Sequence, residues 1–181
     1  MTVMVVEDTA MMRRRLREVL VKELKVAEKN IYEMANGHEA VNQYKIVNPD
    51  YVLLDIFMPG IDGVETMRQL KAIDPDAYVV MVTSSSTRRV VIDSILAGAR
   101  DYIKKPPTLQ KIASALKIDL FNPQPKPRER AVVVADDAKE QKAVIDKIVK
   151  DQAFDEEDYG DVMKGLTIES GGDDFLNEAL K

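Results

Sequence analysis

Tyr51-Val52-Leu53-Leu54-Asp55-Ile56-Phe57-Met58-Pro59-Gly60-Ile61-Asp62-Gly63 is the stretch on which the reading of this chain turns. Its first four residues predict a buried strand. Asp55 stands where that strand should end, and Pro59, Gly60 and Gly63 predict a tight loop before the next helix. In α/β sheets the carboxyl ends of the strands are where ligand chemistry is placed. Asp55 is therefore the candidate working residue, weighed against the plainer possibility of a loop or helix-capping aspartate.

Upstream, Val3 to Val6 is a short apolar run ending in Glu7-Asp8. Thr9 is placed to cap a helix to about Lys25, with Met12, Leu16, Val19, Leu20 and Leu24 at helical spacing. Arg13, Arg14, Arg15 and Arg17 fall mainly on its other faces and read as a solvated surface. Ile31 to Ala35 reads as a strand, Asn36-Gly37 as a turn, and His38 to Val47 as a helix turning Ala40, Val41, Tyr44 and Val47 inward. The lone His38, near a helix start, suits surface or capping use. Downstream, Gly63 to Ile73 is a helix with Val64, Met67, Leu70 and Ile73 apolar, and Tyr78 to Thr83 is a buried strand. A hydroxyl-rich loop, Ser84 to Thr87, leads into a helix from Arg88 to Ala97, ended by Gly98. Asp101 to Lys104 is a short strand, Lys105-Pro106-Pro107 a stiff loop, and Thr108 the cap of a helix to about Leu120.

Five strand–helix units in alternation predict an α/β fold, a five-stranded parallel sheet with helices on both faces. The flavodoxin-like strand order 2-1-3-4-5 is the natural one for five units. In that order the first and third strands lie side by side, and their ends carry Glu7-Asp8 and Asp55. The fourth strand ends in Thr83, and Lys105 follows the fifth. Three crowded carboxylates raise one another's proton affinity, and a hard cation resolves the repulsion. An oxygen-only donor set suits Mg²⁺, which also neutralises phosphate oxygens. The chemistry read from this rim is phosphoryl transfer, with Asp55 as nucleophile forming an acyl phosphate. Lys105 would set a cation against the phosphoryl oxygens, and Thr83 would donate a hydroxyl hydrogen bond.

The set resembles the receiver domain of two-component response regulators, of the CheY-like kind, over about residues 1–120. The resemblance is carried by Val5-Val6-Glu7-Asp8, Met11-Met12-Arg13-Arg14, Leu54 through Gly63, Met81-Val82-Thr83 and Tyr102-Ile103-Lys104-Lys105-Pro106. It implies that Asp55 takes phosphate from a phosphohistidine on a sensor histidine kinase. It implies Mg²⁺ held by Glu7, Asp8, Asp55 and the backbone carbonyl of Phe57. It further implies that Thr83 and Tyr102 form the switch, altering the surface of the fourth helix, fifth strand and fifth helix, and that Lys105-Pro106 is cis. A receiver of this kind is a phosphoacceptor that catalyses its own phosphorylation and dephosphorylation rather than an enzyme with a separate substrate. Pro107, Phe57 and Ser85 depart from common receiver residues. The last two flank the path of attacking water and leave the phosphate lifetime open.

The divisions expected are a receiver at 1–121, a proline-rich, extended linker at 122–130 and a small, mainly helical acidic extension at 131–181. Residues 128–181 hold 8 basic and 15 acidic residues, whereas residues 1–127 hold 18 and 16. That acidity argues against nucleic acid as a partner. Val132-Val133-Val134-Ala135-Asp136-Asp137 echoes Val3 to Asp8, 129 residues earlier. It reads either as the start of a partial second receiver or as a strand and helix with a capping box, Asp137 and Glu140. Asp173 to Leu180 places Phe175, Leu176, Ala179 and Leu180 on one helical face, and residues 173–181 are expected either to dock on this or a second receiver or to fray in solvent.

With no cysteine and one histidine, disulfides and thiolate or histidine-rich metal sites are excluded. No apolar run approaches membrane-spanning length, so membrane insertion is not expected and a cytoplasmic protein is. The leading expectation is a switch that signals to a downstream effector protein through protein contacts. The alternatives are an Mg²⁺-dependent aspartyl-phosphate phosphatase of the haloacid dehalogenase type and a tandem-receiver assembly adaptor.

Overall fold

The structure, a computed structural model, describes residues 1–84 and 88–128. β1 (Val3–Val6), β2 (Ile31–Met34), β3 (Tyr51–Leu54), β4 (Val79–Thr83) and β5 (Asp101–Lys104) form one parallel sheet in the order β2-β1-β3-β4-β5. The helices are α1 (Ala10–Glu18), α2 (Gly37–Val47), α3 (Gly63–Ile73), α4 (Arg88–Leu96) and α5 (Leu109–Ala115).

Alternation along the strands sorts the core into two layers. Met4, Val6, Val52 and Leu54 face a layer shared with Tyr44 of α2 and Met67 of α3. Val3, Val5, Leu53 and Val82 face the opposite layer with Leu16 of α1 and Ile112 of α5. Every residue of β1, β3 and β4 is buried, the pattern of a parallel sheet covered on both sides.

Several element ends differ from expectation. Thr9 stands at the N-cap of α1 but makes no side-chain capping bond, its hydroxyl lying 3.2 Å from Asp8 Oδ1 instead. Beyond Glu18 the helix widens into a π-helical turn, Val19–Glu23, closed by Leu24 N–H on the Val19 carbonyl at 3.1 Å. The wider turn lets Leu20 and Leu24 bury completely beside Leu16. Asn36-Gly37 is no free turn: Asn36 caps α2 by accepting from Glu39 N–H, and Gly37 begins the helix. β2 stops at Met34, β4 starts at Val79 and α4 stops at Leu96. α5 stops at Ala115 because Lys117 takes a left-handed backbone, φ 55°, and Ile118 N–H returns to the Ala113 carbonyl.

The proline-spaced stretch does not simply leave the domain. Arg128 N–H reaches Asp50 Oδ1 at 3.2 Å, and its guanidinium lies over the Tyr78 ring at 5.6 Å. Ser85, the echo at 132–137 and the docking segment at 173–181 lie outside the described residues.

Candidate functional site

β1 and β3 are neighbours, so their carboxyl ends bring Glu7, Asp8 and Asp55 together. The ladder continues past each strand: Asp55 N–H bonds the Val6 carbonyl at 2.9 Å and Glu7 N–H the Met34 carbonyl at 3.1 Å. These bonds fix the backbone from which both carboxylates project. Oxygens of Glu7, Asp8 and Asp55 lie within 4.8 Å of one another. Glu7 and Asp55 are buried and Asp8 is exposed, which leaves the cluster open on one side.

β5 delivers the counter-charge. Lys105 Nζ donates to Glu7 Oε2 at 2.6 Å and lies 2.8 Å from Asp55 Oδ2. Its backbone N–H donates to the Thr83 carbonyl at 2.7 Å, so the end of β4 holds the lysine in place. The Lys105-Pro106 peptide is cis, as the resemblance implied. Burial raises the Glu7 pKa, and the Asp55 charge adds to that; the hydrogen bond from Lys105 opposes it without winning. For Lys105 burial pulls the pKa down, but hydrogen bonds to Asp55 and Glu7 outweigh it and the net shift is upward. The triad therefore holds its lysine charge more firmly than its glutamate charge.

The loop after Asp55 is built to press close. Gly60 has φ +87°, a conformation that favours glycine. A Cβ on Gly63 would fall 2.1 Å from the Asp55 carbonyl oxygen, so this position admits no side chain without moving the backbone of Asp55. Asp62 caps α3 by accepting Glu65 N–H at 2.8 Å. Phe57 directs its N–H toward Asp55 Oδ1 at 3.4 Å while its ring is half exposed. The ring borders a groove of about 550 Å³ shared with Asp8, Met58, Asp62, Arg68 and Asp93.

Thr83 is fully buried at the end of β4, and Tyr102, opposite Met81 in β5, is buried facing the layer that holds α4. Burial pushes the Tyr102 phenol up to about 12. The structure thus clusters Glu7, Asp8 and Asp55, sets Lys105 in contact with Glu7 and Asp55, and places Thr83 and Tyr102 on the adjoining strands.

That arrangement matches a known family. The response regulator receiver domain family covers residues 3–117. The chain belongs to that family. Within it, the receiver resembles the chemotaxis protein CheY of Bacillus subtilis, 36% identical over 114 residues that make up 63% of this chain and 92% of that protein. CheY of Halobacterium salinarum is 40% identical over 104 residues, 58% of this chain and 83% of that one. Among solved structures, a chain of the CheX–CheY–BeF3–Mg²⁺ complex of Borrelia burgdorferi is 28% identical with a TM-score of 0.55, covering 63% of this chain and 84% of that chain. The receiver is thus of the CheY type, part of two-component signalling. Among the described residues no helix is long and apolar enough to cross a membrane.

The donor set fits a hard divalent cation. All three clustered side chains offer carboxylate oxygens and one side is open, as Mg²⁺ requires.

One participant went unrecognised in the sequence. Arg13, read there as part of a solvated face, donates from Nη1 to the carbonyls of Glu7 at 2.6 Å and Asp8 at 2.9 Å. The available signal was its place in the first turn of α1, where side chains lean back toward the helix start. Arg17 is likewise engaged, with Glu28 and Glu33.

Proposed function

We propose that this receiver is a phosphorylation-activated response regulator of a chemotaxis-type two-component system, taking phosphate on Asp55 from a sensor histidine kinase in the cytoplasm. The observation that carries this reading is the buried Asp55 carboxylate, 2.8 Å from Lys105 Nζ and clustered with Glu7 and Asp8. In the proposed step an Asp55 oxygen attacks phosphorus. The P–N bond to the donor imidazole breaks, and its electron pair stays on the imidazole nitrogen, which takes up a proton. The product is an acyl phosphate; attack of water at phosphorus later restores the carboxylate and releases inorganic phosphate.

Glu7, Asp8, Asp55 and the Phe57 carbonyl would hold Mg²⁺, which when bound supplies positive charge against the carboxylate and phosphoryl oxygens. Lys105 keeps its ammonium beside Asp55 and neutralises a phosphoryl oxygen. Thr83 turns its hydroxyl to donate to another. Tyr102, already buried facing the layer that holds α4, would pass the change to the surface of α4, β5 and α5. The output is contact with a downstream effector protein; that receivers of this kind form protein complexes is supported by the Borrelia structure, in which CheY is bound to CheX. The divisions proposed with this are a receiver at 1–121, a linker at 122–130 and an acidic extension at 131–181.

The phosphatase alternative needs an acid/base residue two positions after the nucleophile. Phe57 stands there and cannot transfer a proton.

The test is intact mass after incubation with Mg²⁺ and a small-molecule phosphodonor. One added phosphoryl group, absent from Asp55→Ala, is expected. Equal labelling of wild type and Asp55→Ala would overturn the assignment.

A further inference from the structure

We infer that Arg13 is a positioning residue for the cation site, holding the loop that presents Glu7 and Asp8. The inference rests on the Mg²⁺ reading above and extends it to a residue outside the carboxylate cluster. The span Glu7–Thr9 has only a long local tie of its own, Thr9 N–H to Glu7 Oε1 at 3.4 Å, because Thr9 makes no side-chain capping bond to α1. The Thr9 hydroxyl is instead turned to Asp8. The Arg13 guanidinium takes over the task, gripping two successive carbonyls, those of Glu7 and Asp8, through one nitrogen. Pinning both carbonyls restrains the backbone dihedrals of both residues. Those dihedrals set the directions in which the two carboxylates leave the chain.

Electrostatics makes the placement notable. The first turn of α1 carries no acidic residue. A cation there opposes the positive end of the helix dipole, so the two carbonyl bonds are what hold Arg13 in this position. Charge and positioning also predict opposite signs. As a bare charge near the site, Arg13 repels Mg²⁺, and removing it would tighten binding. As a loop clamp it preorganises two ligands, and removing it would weaken binding. Residues that orient metal ligands typically contribute ten- to a hundredfold in affinity.

The experiment is Mg²⁺ titration by calorimetry of the full chain and of Arg13→Ala, Arg13→Gln, Arg13→Lys and Asp8→Asn, at ~0.15 M salt, where exposed charges are screened beyond about 8 Å. Thermal unfolding in EDTA is run beside it to confirm that each variant is folded. The expected result is Mg²⁺ affinity weakened about tenfold or more in Arg13→Ala, with partial recovery in Arg13→Lys. Phosphoryl uptake by Arg13→Ala should be slow at low Mg²⁺ and return to the wild-type rate at saturating Mg²⁺. Unchanged or tighter binding in Arg13→Ala and Arg13→Gln, with binding lost in Asp8→Asn, would overturn the role of Arg13 while leaving the metal site standing. A wild-type chain that bound no Mg²⁺ would overturn the metal reading, and this inference with it.

Discussion

At the carboxyl end of the sheet, Glu7 and Asp55 share the ammonium of Lys105, with Asp8 close by. At the amino end Asp50 stands against a surplus of donors. It accepts from Thr2 N–H at 2.6 Å and Arg128 N–H at 3.2 Å, with the Met1 ammonium 3.9 Å away. Beside it Tyr51 and Tyr78 pack edge to face at 5.0 Å, and Lys117 and Arg128 lie over the Tyr78 ring. One end of the sheet is short of positive charge and the other is not. The amino end closes the domain and ties down the linker. The carboxyl end carries an unbalanced carboxylate cluster that a cation and a phosphoryl group would complete.

The contrast breaks first at Lys105. Lys105→Met leaves Glu7 and Asp55 buried together with no ammonium between them. Unfolding by urea in EDTA should show a loss of about 3 kcal/mol, partly recovered by Mg²⁺. A loss below about 1 kcal/mol would mean that the lysine offsets little of the carboxylate repulsion.

Tyr102 gives the next effect. Its folded pKa, about 12, lies above the ordinary value of 10. The stability that this shift represents is present below pH 10 and is lost as pH rises toward 12. Tyr102→Phe should flatten that alkaline loss by an amount on the order of 2 kcal/mol, read from denaturant midpoints between roughly pH 9 and 12.

Asp50→Ala probes the amino end. It removes acceptors from Thr2 and Arg128 and should cost about 1.5 kcal/mol. The same variant should take up phosphate at a rate within about twofold of wild type, because Asp50 lies at the opposite end of β3 from Asp55. Smallest, and opposite in sign, is Asp55→Asn: removing one of the two buried carboxylates that share Lys105 leaves Glu7 and Lys105 as a balanced pair. The expected gain is about 1 kcal/mol in EDTA. A loss of that size would show that the carboxyl end is not electrostatically strained.

What could be read from the sequence divides along the same line. The strand order followed from five alternating units, and Asp55, Glu7 and Lys105 were visible because each ends or follows its own strand. Their convergence then came from topology alone. What escaped depended on contacts that periodicity does not encode. Arg13 looked like its neighbours Arg14 and Arg15, yet its place in the first turn lets it reach the loop carbonyls. The π-helical turn at Val19–Glu23 answers to the packing of Leu20 and Leu24, and α5 ends early on the left-handed backbone of Lys117. The bond from Arg128 to Asp50 joins residues 78 apart through a proline-spaced segment that reads as a spacer.

The most direct test of the account is to locate the phosphoryl group. Phosphorylated protein would be reduced with borohydride, which converts an aspartyl phosphate to homoserine, then digested and sequenced by tandem mass spectrometry. The account predicts homoserine at position 55, dependent on Mg²⁺ and on Lys105, and undiminished by Asp50→Ala. Homoserine at another aspartate, or phosphate retained on a hydroxyl residue with Asp55 intact, would contradict it.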